Sequence, residues 1–106
     1  MKNIAVYGTL KKGRGLHNCW LGNSTFIQND VVKGELYKVT YPFLLKGDED
    51  IAVEVYEVED NIFEAVKNME ESVGYTTELT KLKSGIEAYV FFYPKKLDSF
   101  EKIKEF

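Results

Sequence analysis

Apolar and polar side chains alternate cleanly through Ile51–Val58 (IAVEVYEV), placing Ile51, Val53 and Val55 on one face and Ala52, Glu54, Tyr56 and Val58 on the other. A period of two is the pattern of a half-buried strand. Similar segments at Lys2–Tyr7, Thr25–Gln28 and Val31–Val39 predict further strands, with Gly34 marking a bulge or a close backbone approach. Tyr75–Leu82 and Ile86–Tyr93 read as a hairpin around Lys83-Ser84-Gly85. Its second arm is an almost unbroken apolar run (AYVFFY), which suits a strand covered on both faces. Tyr41-Pro42-Phe43 reads as extended chain at an edge, because proline has no N–H to give a central ladder.

The period changes to 3.6 over Asn61–Ser72, where Asp60 or Asn61 is the expected N-cap and Ile62, Phe63, Val66 and Met69 form the apolar stripe. Leu16–Leu21 and Asp98–Phe106 are expected to add short helices. About six strands with two or three helices give an α+β fold, a curled sheet or small mixed β-barrel flanked by those helices, in one domain over residues 1–106.

One side chain of the helix breaks its pattern. Glu64, Lys67 and Glu71 share the outer face, but Glu70 follows Val66 by four and Phe63 by seven, on the buried or border side. A carboxylate there is costly unless it is hydrogen-bonded, paired or set in a pocket. Burial would raise its pKa toward neutrality, as a general acid/base near pH 7 requires. The periodicity also permits a simpler placement, with Glu70 at the helix edge reaching into water. Glu54 poses a similar question, answered by an open sheet face or a hydrogen bond to a nearby Tyr; Glu78 is expected on a strand surface.

Composition narrows the function classes. With 44% hydrophobic and 29% charged residues the chain has the balance of a globular domain, and its net charge of −3 lacks the basic footprint of a general nucleic-acid binder. Ten acidic side chains fall within residues 48–71, against the single Lys67, and read chiefly as a solvated face. No apolar run is long enough for a membrane span and none has the form of a signal peptide, so a cytoplasmic setting is expected. The one Cys excludes an internal disulfide, and with one His it cannot build a zinc site unaided.

Tyr7-Gly8-Thr9-Leu10 follows the first strand directly, and a strand ending in Gly lets the next N–H groups turn outward into an anion-binding concavity, although a plain turn fits equally well. Lys11–Gly15 (KKGRG) is a basic loop without the glycine–lysine spacing of a phosphate-binding loop. Cys19, beside Trp20, reads as a small buried hydrophobe, and His17 as a surface residue that could line a pocket.

Taken together, Val6-Tyr7-Gly8-Thr9-Leu10-Lys11-Lys12-Gly13, Gly34-Glu35-Leu36-Tyr37, Tyr41-Pro42, Val53–Val58, Met69-Glu70 and Tyr75 resemble the γ-glutamylcyclotransferase-like family, in its AIG2-like, γ-glutamylamine cyclotransferase branch. The resemblance spans residues 4 to 93, and the YGTL-x-x-G opening is its most specific part. It implies a small barrel and closure of a γ-glutamyl compound to 5-oxoproline with release of its amine, without metal or organic cofactor. By the same resemblance Glu70 is the general acid/base, Gly8, Thr9 and Leu10 hold the substrate through main-chain N–H groups, Tyr7 walls the pocket, and Tyr75 matches the Tyr after the catalytic helix. The implied partner is a small γ-glutamyl substrate, with no nucleic acid or membrane, in a monomer or weak homodimer. A non-catalytic binding module of the same fold, or a variant acting on a carrier-bound γ-glutamyl intermediate, are the alternatives. Two positions depart from the pattern: Thr77 stands where Arg is frequent, and Glu71 where Gly is usual, which puts a second carboxylate beside the proposed base.

Overall fold

Strands β2 (Thr25–Lys38) and β3 (Pro42–Val58) pair antiparallel along almost their whole length and form the spine of the molecule. The computed structural model describes residues 1–8, 10–11, 21–22, 24–38, 42–95 and 101–103. The segments expected at Thr25–Gln28 and Val31–Val39 are joined, as far as Lys38, in the single strand β2, whose register shifts between Phe26 and Gln28 and again between Gly34 and Glu35; Val39 lies outside the described residues. The second shift answers the expectation for Gly34. A Cβ there would lie 2.8 Å from both the Leu44 side chain and the Leu45 carbonyl oxygen, so only glycine lets the bent strands touch.

The far end of β3 pairs antiparallel with β1 (Lys2–Val6), and β1 in turn pairs parallel with β5 (Glu87–Phe92). The hairpin partner β4 (Thr76–Lys81) forms one edge, and β6 (Glu101–Ile103), laid against Leu36–Lys38 of β2, forms the other. The order β4-β5-β1-β3-β2-β6 makes a six-stranded mixed sheet, and with helix α1 (Asp60–Ser72) an α+β fold as expected. Central position explains why β1 and β5 are so apolar: Ile4, Ala5, Ala88 and Val90 are fully buried.

The sheet curls without closing into a continuous barrel ladder among the described residues. β4 and β6 remain edges, and the curl is held by isolated bonds: Lys83 N–H donates to the Val31 carbonyl at 2.9 Å, and Tyr93 N–H to the Leu44 carbonyl at 2.7 Å. Asp30, buried on β2, adds a pin. It accepts hydrogen bonds from the N–H groups of Val31 and Ser84 and from the side chains of Ser84 and Gln28.

Helix content also differs from expectation. The described residues contain one α-helix, α1, which begins one residue early, with Glu59 as a cap that makes no side-chain hydrogen bond. Of the C-terminal helix expected over Asp98–Phe106, the described residues Glu101–Ile103 form strand β6 instead, and the rest lie outside the described residues. A nine-residue helix has little stability of its own, whereas the β2 edge offers unpaired backbone groups. The helix expected at Leu16–Leu21 lies outside the described residues except for Leu21, which is buried. α1 packs on the sheet through Phe63 and Val66, the Phe63 ring centroid 4.6 Å from that of Tyr89 on β5. Burying two such side chains contributes roughly 3–6 kcal/mol and fixes which way the helix faces.

Candidate active site

The end of α1 sets the geometry. Gly74 adopts a φ of +101°, Gly74 N–H donates to the Glu71 carbonyl, and Tyr75 N–H donates back to the Glu70 carbonyl. This pair of bonds is a Schellman stop, which normally brings the side chains three before and two after the cap residue together in a hydrophobic contact. Here those two positions are Glu70 and Tyr75. Their spacing of five, uninformative as a helix period, thus places acid and phenol side by side.

Both project into a cavity of about 330 Å³ between the helix end and the curled sheet, which also receives Tyr7, Gly8 and Leu10 after β1, Pro42 and Phe43 at the start of β3, Phe91 of β5, and Met69 and Val73 of the helix end. Among the described residues no hydrogen bond or ion pair reaches the Glu70 carboxylate, and burial alone raises its pKa from 4.5 to about 7. The two phenols are anchored. Tyr75 Oη donates to the Pro42 carbonyl at 2.8 Å and Tyr7 Oη to the Phe91 carbonyl at 2.5 Å. Burial raises the pKa of each, and the nearby Glu70 charge adds to both shifts, so both remain neutral near pH 7. Phe43 lies behind Tyr75, near-parallel at 5.7 Å between centroids, and Tyr93 packs edge-on to Tyr75 at the same distance.

Gly8 has a steric reason to be glycine. A Cβ on it would stand 2.4 Å from Pro42 Cγ, so the turn and the proline that accepts the Tyr75 bond can meet only without a side chain. The turn is closed by Lys11 N–H donating to the Gly8 carbonyl at 2.9 Å. Leu10 is buried in the cavity wall, while Thr9 lies outside the described residues. The structure therefore gathers Glu70, Tyr7, Gly8, Leu10 and Tyr75 around one space. Pro42, Phe43 and Val73 join them although the sequence reading gave none of them a place in the site. For Pro42 the tight spacing Tyr-Pro-Phe was the available signal; Val73 had none beyond its position at the helix stop.

The two departures from the family pattern touch each other. Thr77 Oγ1 donates to Glu71 Oε2 at 2.8 Å, and Lys67 Nζ lies 3.4 Å from Oε1, which together hold the Glu71 carboxyl below its ordinary pKa on the outer face. Glu71 thus has its own partners, while the shift of Glu70 is due to burial. Glu54 accepts a hydrogen bond from Tyr56 Oη at 2.9 Å, and Glu78 pairs with Lys46 at 3.0 Å. His17 and Cys19 lie outside the described residues. Among the described residues no three His, Cys, Asp or Glu converge on a common point, and no helix is long and apolar enough to cross a membrane.

The family model for gamma-glutamyl cyclotransferase, AIG2-like, matches residues 4–105. The chain belongs to this family. A Pyrococcus horikoshii protein that carries gamma-glutamylcyclotransferase as a provisional name is 40% identical over 83 residues, covering 77% of this chain and 71% of that one. Its crystal structure superposes with a TM-score of 0.86 at 35% identity, over 98% of this chain and 86% of that one. A second relative, from Methanocaldococcus jannaschii and likewise provisionally named a gamma-glutamylcyclotransferase, is 32% identical over 104 residues, covering 90% of this chain and 87% of that one. An AIG2-like protein of Mus musculus shares the fold, with a TM-score of 0.84 at 19% identity over 100% of this chain and 88% of that one.

Proposed function

We propose that this AIG2-like chain is a γ-glutamyl cyclotransferase that releases 5-oxoproline and an amine from a small γ-glutamyl compound, with Glu70 as general acid and base. The observation that carries the reading is a half-buried carboxylate opening into an apolar cavity, its pKa pushed up to about 7 by desolvation, with no partner among the described residues to tie it down.

The chemistry asks for little else. Nucleophile and electrophile belong to one molecule, so folding the γ-glutamyl arm into an attack conformation removes most of the entropic barrier. Glu70 takes a proton from the substrate α-ammonium, and the freed amine attacks the γ-carbonyl carbon. As the carbonyl re-forms, the bond to the leaving nitrogen breaks and protonated Glu70 returns a proton to that nitrogen. Over the whole reaction the α-nitrogen loses two protons and the departing amine gains two, the second through solvent. Raising the carboxyl pKa from 4.5 to about 7 makes the first transfer easier by roughly 3 kcal/mol, and the same group is still acidic enough to serve the second. The anchored Tyr7 and Tyr75 wall the space, and Gly8, which lines it, stands where the family resemblance would have the substrate carboxylate held. No step calls for a metal or organic cofactor, and the cytoplasm is the expected setting.

Mass-spectrometric detection of 5-oxoproline from a mixed γ-glutamyl library tests the reading. Wild-type protein should release it with a kcat/KM that rises with pH to a plateau above about pH 7, set by ionisation of Glu70. Glu70→Gln should lower the rate by about 10²–10⁴-fold. Equal rates in the two proteins would remove Glu70 from the mechanism, and saturable binding without 5-oxoproline would assign the fold a non-catalytic role.

A further inference from the structure

The rim of the cavity carries information about the substrate that the proposed reaction does not use. Val73 lines the cavity and is nonetheless 61% exposed, so it stands at the mouth, where the part of a ligand outside the reacting centre must pass. Met69, one helical turn before it, is half-buried in the same wall, and the half-buried Phe43 is in the wall as well. The Phe43 ring is held in place by Tyr93 at 4.5 Å and by Tyr75. Glu70 lies between Met69 and Val73 on the chain and projects into the same space.

The polar groups of the described lining are already assigned. Tyr7 and Tyr75 give their hydroxyl hydrogens to main-chain carbonyls, and Glu70 is needed for proton transfer. A γ-glutamyl group bears its ammonium and carboxylate at one end and the leaving nitrogen at the other. If the charged end sits beside Glu70 and the Gly8 turn, the exposed position of Val73 puts the substituent on the leaving nitrogen toward the mouth, along the wall that Phe43, Met69 and Val73 line. A charged group held against those side chains would lose hydration without gaining a partner among the described residues, whereas an alkyl or aryl group would bury apolar surface.

We propose that Phe43, Met69 and Val73 form a leaving-group subsite that selects γ-glutamyl amides of apolar amines over those of amines bearing a charge at the far end of the chain. This specificity rests on the cyclotransferase reading above, and its test separates the two. The probes are synthetic γ-glutamyl amides of matched length: the isoamyl and benzyl amides, the ethanolamide, and the amides of putrescine and 4-aminobutyrate. For each, kcat/KM for 5-oxoproline release is measured on wild-type and Val73→Lys protein, and Kd is measured by calorimetry on Glu70→Gln, in which turnover should be slow enough to read binding.

Wild type should favour the isoamyl and benzyl amides over both charged amides by tenfold or more, the discrimination expected of a few well-placed methylenes. The difference should fall mainly in KM and should appear again in Kd. In Val73→Lys the ratio between the 4-aminobutyrate and isoamyl amides should move toward the carboxylate by at least fivefold, because the new ammonium supplies the missing partner. Turnover or binding that is flat across the series, or favours a charged amine, overturns the subsite while leaving the reaction intact. Tight, apolar-selective binding without 5-oxoproline from any amide supports the subsite and overturns the reaction. Absence of both binding and turnover overturns both.

Discussion

Glu70 illustrates how one side chain can serve chemistry at the expense of stability. Its folded-state pKa of about 7 lies above the ordinary 4.5, so between those values the folded protein holds a proton that the unfolded chain has lost. Stability therefore falls as pH rises from about 4.5 to about 7 and levels off beyond it. Glutamine carries no such penalty. Denaturant titration should find Glu70→Gln more stable than wild type above pH 7, by about 2 kcal/mol, with the gap closing below about pH 4.5. A gap that stays constant with pH would mean that the carboxylate is solvated after all. Phe63 and Val66 fix the helix face and so made Glu70 a candidate for the buried or border side, but the sequence left the water-facing edge open as well, and only the structure puts Glu70 in the cavity wall. The partners of Glu71 were not legible: Lys67 is one turn away, but Thr77 reaches it only after the chain has turned through Gly74.

At the level of elements, the helix stop does the positioning. Gly74 has room for a methyl group, its nearest neighbour being a Tyr93 ring carbon 3.5 Å from an added Cβ, so the strain of Gly74→Ala would come from the positive φ alone. That strain should cost about 1–3 kcal/mol. Part of the relief would come from unwinding the stop, which separates Tyr75 from Glu70. We expect Gly74→Ala to lower both Tm and kcat, and a thermal melt beside steady-state kinetics checks the pairing. Loss of stability with unchanged kcat would show that the two side chains are held by something other than this turn.

The other elements show where pattern reading stops. β3 runs without a break through Lys46–Asp50, yet only its Ile51–Val58 half was readable, since the KGDED stretch is solvated on both faces and carries no alternation. β6 was misread because three residues in a helix-like pattern take their structure from the β2 edge, a partner more than sixty residues away in sequence. Gly34 was read correctly because a glycine amid strand residues points to close contact wherever its partner lies.

For the molecule as a whole, the curl of the sheet rests on few contacts. Asp30 ties the β4–β5 turn to β2 through Ser84, across 54 residues of chain. Burial pushes its pKa up, but the hydrogen bonds from Ser84, Val31 and Gln28 outweigh it and hold the carboxyl below its usual value. A lowered folded-state pKa gives stability that is present above the unfolded value and lost as pH falls through the folded one. Asp30→Ala should cost about 2–3 kcal/mol at pH 7 by leaving buried donors unanswered, and its deficit against wild type should shrink in acid. Hydrogen exchange at the amides of Lys83 and Gly85 locates the loosening. Unchanged protection there would mean that the Lys83 bond to Val31 holds the curl unaided. The surface ion pairs, such as Lys46–Glu78 and Lys102–Glu49, are too exposed to take over that role.

The Gly74 turn also determines which changes in chain length the reaction centre can tolerate. Acid and phenol are indexed from the terminus of α1, so residues added ahead of Asp60 would lengthen the approach to the helix and leave their separation untouched. A single residue inserted between Glu71 and Tyr75 would instead rotate one partner out of reach of the other.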